Sequence, residues 1–174
     1  MALVVRLLAL IGLLVGVGTA TAADLPLEYA VKASYLYKFA PFVQWPSSAF
    51  EDAAAPLAIC IAGPNPFGTI LDEAVRGQRF NGRAVIVRHI DTLHTGAGCH
   101  ILFAGGDGAE EALRMVAHQP VLTVTDRSRG TTGGIIQFVM VAGRVRFLID
   151  QGTAQDSGVA ISSKLLGLAV SVAR

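Results

Sequence analysis

VKASYLYKFAPFVQWP, residues 31–46, is the stretch of sequence on which the fold depends. It holds two of the three tyrosines, two of the eight phenylalanines and the only tryptophan of the chain. Val31, Tyr35 and Phe39 recur at helical spacing, which predicts an amphipathic helix with an aromatic side that packs on a sheet or on a partner. Pro41 lacks an N–H group and disfavours helical angles at the preceding residue, so we expect a kink or an early helix end there. Trp45-Pro46 then closes the element.

The aromatic side chains of this stretch have two interpretations. They can simply form the core, since aromatic residues dominate the packing of small domains. Alternatively, the end around Pro41 and Trp45 presents an exposed apolar edge to a partner.

Residues 1–22 have the features of a secretory signal peptide. Arg6 precedes an apolar run over residues 7–17, and Ala20-Thr21-Ala22 stands ahead of Ala23. The run is too short to span a bilayer, and this order of segments is typical of a cleaved leader. We expect cleavage near Ala22 and export, with residues 23–174 forming one domain; a retained membrane anchor is the alternative.

Composition excludes several partners. The formal net charge of the chain is +1, and its 14 Lys and Arg residues form no run. Nucleic acid and anionic membrane surfaces are usually bound through basic patches, so neither is an expected partner. Partners are expected to be recognised by shape and apolar contact.

Downstream, short apolar runs alternate with helical segments. Runs over residues 57–61, 84–90, 99–104 and 121–125 resemble buried strands, and helical patterns follow Asn65-Pro66 and cover residues 107–118. This alternation predicts an α/β fold with a largely parallel sheet flanked by helices. Residues 135–141 and 144–149 predict an antiparallel C-terminal hairpin at the sheet edge, and residues 151–158 a short helix. The last predicted element is a helix that begins at a serine and buries Leu165, Leu168, Ala169 and Val172.

The two cysteines, Cys60 and Cys99, leave two interpretations open. Exported proteins commonly bridge such a pair, whereas buried free thiols behave as small apolar groups. If their strands are parallel neighbours that end at Gly63 and Gly105, the two residues are offset by roughly 10 Å. A bridge would then need a shifted register, because cysteine Cα atoms more than about 7 Å apart cannot be joined.

No catalytic or metal-binding constellation can be assembled from the sequence. The histidines, His89, His94, His100 and His118, have no spacing typical of metal ligands, and a Ser-x-x-Lys motif would need serine where Ile161 stands. The glycine-rich loop over residues 129–134 lacks the lysine of a phosphate-binding loop. Residues 63–68 follow the first strand, where open α/β sheets commonly bind ligands. We therefore expect no enzymatic activity, no cofactor and no metal.

Several segments together resemble the YfiR family of periplasmic proteins, in order and over essentially the whole mature chain. They are Tyr35-Leu36-Tyr37 with Trp45-Pro46, Ile59-Cys60-Ile61 before Gly63, Asn81-Gly82-Arg83, Gly98-Cys99-His100-Ile101-Leu102-Phe103, Pro120-Val121-Leu122-Thr123-Val124, Val145-Arg146-Phe147, and Ile161-Ser162-Ser163-Lys164-Leu165-Leu166.

The resemblance implies a non-enzymatic periplasmic repressor. Such a protein binds the periplasmic sensor domain of an inner-membrane diguanylate cyclase and keeps cyclic-di-GMP synthesis low, which limits biofilm formation. The resemblance also implies release by an outer-membrane lipoprotein, a homodimer, and a redox-responsive disulfide between Cys60 and Cys99. The alternative is a periplasmic small-molecule-binding module that acts on a signalling partner.

The chain departs from the family pattern at positions that bear on partner choice. A second cysteine pair would fall between Gly130 and Val139, where this chain has no sulfur. Asp150 stands where the family usually has Asn, Asp156 where a basic residue is common, and Pro41 where a polar one is common. If the surface over residues 150–161 contacts partners, the partner of this protein differs. The candidate partner-binding residues are Pro41, Trp45, Leu148, Asp150 and Ala154.

Overall fold

The computed structural model describes residues 24–90 and 98–174. The predicted signal peptide and His94 lie outside the described residues. The helices are α1 Asp24–Lys38, α2 Ile70–Val75, α3 Ala109–Met115, α4 Gln151–Asp156 and α5 Ser163–Leu166. The strands are β1 Val43–Gln44, β2 Leu57–Ala62, β3 Arg79–Phe80, β4 Arg83–Ile90, β5 Ile101–Ala104, β6 Leu122–Asp126, β7 Ile136–Val141, β8 Arg144–Asp150, β9 Ala160–Ile161 and β10 Ser171–Ala173.

The fold is mixed α/β, built on an eight-stranded sheet. Its strand order is β10-β8-β7-β6-β5-β2-β4-β3, and β1 and β9 form a separate two-stranded ribbon. The pairs from β4 through β2, β5 and β6 to β7 are parallel, as is β10 with β8, whereas β7 with β8 and β3 with β4 are antiparallel. The largely parallel sheet predicted from the alternating pattern is therefore present.

Helices cover both faces of the sheet. On one face, α1 and α2 contribute Leu36 and Leu71 to a large apolar core with the inward side chains of β2, β5 and β6. On the other face, α3 packs Ala109 and Ala112 against Cys60 and neighbouring strand residues. Every residue of β2 is buried, as its continuous apolar run predicts.

Helix α1 ends where the sequence predicted a break. Its last residue is Lys38, and Pro41 sits at the start of a short 3-10 turn over Ala40–Phe42. The aromatic side of the helix lies on the sheet: the ring of Phe39 is 5.3 Å from that of Phe147, and the ring of Tyr35 is 5.7 Å from it. Most of the aromatic side is therefore core.

The C-terminal segment differs from the prediction. The last helix stops at Leu166, Leu168 is 60% exposed, and Val172 lies in β10 instead of on a helix. Because β10 pairs with β8, the β7–β8 hairpin is antiparallel as predicted but does not form the sheet edge. The sequence of this segment alternates apolar and small residues, so pairing with an available strand competes with helix formation.

Candidate partner-binding surface

A buried cluster of charges joins α1 to the carboxyl end of β6. Lys32 is fully buried, and its Nζ contacts the carboxylates of Glu28 and Asp126 and lies 3.2 Å from the Ser128 hydroxyl. Arg129 donates a hydrogen bond of 3.0 Å to the second oxygen of Glu28. Two cations thus balance two carboxylates, and each buried charge has a partner, as burial requires.

These contacts shift the pKa of Glu28 and of the neighbouring Tyr29. Burial raises the pKa of the Glu28 carboxyl, but the hydrogen bonds and charges of Lys32 and Arg129 outweigh burial and hold the pKa below its usual 4.5. Burial, together with the charge of Asp126, raises the pKa of Tyr29. Glu28 is therefore ionised at neutral pH, and its bonds to Lys32 and Arg129 hold α1 in position.

The sequence predictions missed this cluster. Glu28 and Lys32 stand four residues apart, a spacing that signals a helix-surface ion pair. Nothing local indicates that Asp126, separated by 94 residues, completes the cluster inside the protein.

The carboxyl ends of β2 and β5 touch at the start of residues 63–68, where open α/β sheets commonly bind ligands. Gly63 has φ +85°, and a methyl group added to it would lie 2.5 Å from the carbonyl oxygen of Gly105. Next to them, a methyl group at Gly106 would lie 3.1 Å from the ring of Pro64. Backbone therefore fills the space between these two strand ends.

Cys60 and Cys99 are joined by a disulfide, with their Cα atoms 5.7 Å apart. Cys60 pairs with Leu102 in the sheet, but Cys99 precedes β5 and is not part of it. The predicted offset of three residues is present in the register, but it does not keep the two Cα atoms apart, because Cys99 lies outside the strand. The bridge ties this segment to the centre of β2.

The end of the aromatic stretch is only partly exposed. Pro41 is exposed, whereas Trp45 is half-buried, with its ring 5.7 Å from that of Phe80 and 6.5 Å from that of Phe50. The buried indole Nε1–H of Trp45 has no hydrogen-bond acceptor among the described residues. Trp45 therefore contributes both to packing and to the surface.

The other candidate residues lie along β8 and α4. Leu148 is half-buried, and the half-buried Asp150 caps α4 by accepting a hydrogen bond of 2.8 Å from the Thr153 N–H. Ala154 is 1% exposed and offers no surface in this conformation.

The short ribbon brings the two groups of candidates to one region of the molecule. β1, which lies between Pro41 and Trp45, pairs with β9, which follows α4, and the Ser162 N–H donates a 2.9 Å hydrogen bond to the Phe42 carbonyl.

A separate apolar groove runs between α1 and the β7–β8 hairpin. It encloses about 660 Å³. A second hollow of about 450 Å³ continues along α1. Leu27 is 67% exposed and Met140 39% exposed at this place. The groove is lined by Leu27, Glu28, Val31, Met140, Gly143, Arg144 and Val145, and the hollow by Ala30, Val31, Ser34, Tyr35 and Lys38.

The sequence predictions did not identify the groove. Leu27 lies ahead of the aromatic stretch at residues 31–46, and Met140 belongs to a strand predicted only as part of a hairpin. Exposure of both side chains depends on how the hairpin lies beside α1, which no local pattern reveals.

The described part of the chain shows neither a metal-binding group nor a membrane span. No cluster of at least three His, Cys, Asp or Glu side chains within residues 24–90 and 98–174 is arranged to hold a metal ion. Within the same ranges, no helix has the length and apolar character needed to cross a bilayer.

The fold and its surfaces define a mixed α/β domain whose prominent surface feature is an apolar groove. A family model described as YfiR/HmsC-like matches residues 29–170, so the chain belongs to the YfiR/HmsC-like family. The comparison with curated proteins found no match. The family is one of regulators of signalling and not of enzymes.

Proposed function

We propose that this protein is an exported regulator that binds the periplasmic sensor domain of an inner-membrane diguanylate cyclase and keeps cyclic-di-GMP synthesis low. The observation that carries the proposal is the family match over residues 29–170. In this proposal the regulator acts in the periplasm without enzymatic activity, as a homodimer, and an outer-membrane lipoprotein withdraws it from the cyclase.

Two further features support an extracytoplasmic regulator. The signal-peptide pattern of residues 1–22 agrees with export, and the Cys60–Cys99 disulfide agrees with an oxidising compartment, because such bridges persist there. The exposed apolar groove supplies a surface for protein binding, since contiguous apolar surface on a soluble domain commonly marks such a site.

The alternative of a small-molecule-binding module receives less support at residues 63–68, the expected ligand crevice. Gly63 and Gly105 are in contact there, and their backbones occupy the space a ligand would need.

Deletion of the gene, followed by complementation with the full chain, tests the proposal. We expect cyclic-di-GMP and biofilm mass to rise on deletion and to return to the original level on complementation. Crosslinking in intact cells, with purification through a C-terminal tag, should recover an inner-membrane diguanylate cyclase. Unchanged cyclic-di-GMP on deletion, with no such cyclase in the crosslinked fraction, would refute the proposal.

A further inference from the structure

We propose that the groove between α1 and the β7–β8 hairpin is the docking site for an amphipathic helix of the partner protein, a helix that is apolar on one side and acidic along its flanks. The identity of the protein that carries this helix rests on the proposed function. The shape and charge of the helix follow from the groove itself.

The floor and walls of the groove are apolar. Val31 of α1 is 37% exposed beside Leu27, and Met140 and Val145 face them from the hairpin. Met140 lies on the same side of the sheet as Phe138 because side chains alternate along a strand. Burial of such a continuous apolar surface is the main driving force for association.

The backbone around the groove explains why the occupant is a helix. The groove lies on the face of the sheet, whereas the N–H and C=O groups of β7 and β8 lie in its plane, where the two strands pair with each other from Ile136 to Val141. The backbone groups of α1 are paired within the helix. An extended segment in this groove would find no backbone partners, and unpaired buried peptide groups are costly. A helix satisfies its own backbone and presents only side chains, as in other helix-in-groove complexes.

The length of the groove matches a short helix. Its wall on α1 runs from Leu27 to Lys38, which corresponds to roughly 16 Å at the rise of an α-helix. Three turns of a bound helix would cover that distance.

The charges at the rim select acidic flanks. Lys38 of α1 is exposed beside the hollow, and Arg144 of β8 is exposed beside the groove. Glu28, the acidic residue of the lining, is already bonded to Lys32 and Arg129, and Arg129 remains 42% exposed beside it. The rim therefore carries positive charge, which favours acidic partners and disfavours basic ones.

The α1 wall of the groove is held in place before any partner binds. The Lys32 contacts with Glu28 and Asp126 fix α1 relative to the end of β6. A fixed surface loses less conformational entropy on binding, which favours a tight complex.

Synthetic peptides test the groove independently of the natural partner. The probe is a helical peptide with leucines on one face and glutamates along both flanks, and its counterpart carries lysines in place of the glutamates. Measured by fluorescence anisotropy at physiological salt, the glutamate peptide should bind the wild-type protein at least about tenfold more tightly than the lysine peptide. Reversing the rim with K38E and R144E together should invert this preference. Equal affinities for both peptides would overturn the charge assignment.

Substitutions of the two exposed apolar residues of the groove, Leu27 and Met140, locate the binding site. L27E should weaken binding of the glutamate peptide by about tenfold or more, and M140E should do the same. The matched control is L168E, because Leu168 is 60% exposed between α5 and β10 and does not line the groove, and Leu27 is 67% exposed in the groove. Loss of binding in L168E with full binding in L27E would move the site to the C-terminal edge.

A glutamate peptide interrupted by a central proline should bind at least about tenfold more weakly, and equal binding would refute a helical occupant.

Self-association and partner identity are distinguished by two further measurements. Sedimentation of the wild-type protein and of L27E should give the same oligomeric state, and dissociation by L27E would make the groove an interface between two copies.

In cells, L27E should fail to lower cyclic-di-GMP while L168E succeeds. If wild-type protein represses and L27E represses equally, the groove assignment fails and the proposed function stands. If deletion changes nothing but the peptide results hold, the proposed function fails and the groove assignment stands.

Discussion

Lys32 carries a charge in the interior of the protein, between the N-terminal helix and the end of β6. An unpaired buried charge is strongly destabilising, whereas a fully paired one contributes little net stability but fixes geometry. Lys32 has the partners Glu28, Asp126 and Ser128, so its removal leaves Asp126 buried, at 3% side-chain exposure, without its cation.

We expect K32M to lower the free energy of unfolding by about 3–5 kcal/mol, the range measured when one partner of a buried pair is removed. Urea unfolding followed by circular dichroism measures the change. The matched control is K38M, because Lys38 lies exposed in the last turn of the same helix and should matter little for stability. The double variant K32M/D126N should be less destabilised than the sum of its single variants. Equal stability of K32M and K38M would contradict the role assigned to the buried cluster.

At the scale of elements, β2 and β5 approach each other closely at their carboxyl ends. G63A should be destabilised by two effects, the positive φ and the clash with the Gly105 carbonyl. Gly82 has φ +83° and open space around its Cα, so G82A experiences the first effect alone. We expect thermal unfolding to show a larger loss for G63A, with the difference of about 1–3 kcal/mol reporting the clash. Equal losses would mean that the two strand ends can separate at no cost.

The disulfide links β2 to the segment before β5 across 39 positions of the chain. In the chain-entropy model, closing a loop of this length stabilises the fold by about 4 kcal/mol. We expect the melting temperature of the wild-type protein to fall on addition of reductant, and the double variant C60A/C99A to melt at the reduced value in either condition. If reductant leaves the wild-type melting temperature unchanged, the thiols are not bridged in the protein in solution.

The elements that could be predicted from the sequence are those whose local pattern has a single solution. β2 is a continuous apolar run bounded by prolines and glycine, and it is a fully buried strand. The residues after Leu166 have two solutions, since their apolar side chains fit both a helix and a strand. Ser171–Ala173 form a strand instead of a helix because they pair with β8. The structure of this segment therefore depends on a strand that ends about twenty residues earlier in the chain.

At the scale of the whole molecule, the surfaces proposed for binding depend on contacts between distant segments. The groove exists because α1, near one end of the described chain, lies beside the β7–β8 hairpin. The ribbon of β1 and β9 likewise joins the end of the aromatic stretch to the chain after α4. Motifs of the sequence indicated the family, but these surfaces could not be predicted because each requires the completed sheet.

The stability of the whole molecule should fall with acid, because the folded state disfavours protonation of His100 and of Glu28. Burial lowers the pKa of His100 below 6.5, and the charges of Arg83 and Arg88 reinforce this, while the backbone of Ala49 opposes it. Protonation would also disrupt the 3.1 Å hydrogen bond that Nδ1 of His100 accepts from the Ala58 N–H. The unfolded chain binds the proton more readily, so stability is lost as the pH falls below 6.5.

Glu28 adds a second loss at lower pH, because its folded pKa lies below 4.5 and stability present above that value disappears as the carboxylate is protonated. We expect urea midpoints measured from about pH 7.5 to pH 3.5 to decline in two stages. H100N should remove the first stage and E28Q the second. H118N is the matched control, because His118 is exposed and asparagine tolerates its positive φ of 61°. A first stage that persists in H100N but disappears in H118N would assign the acid sensitivity to the end of α3 instead of to the packing around His100.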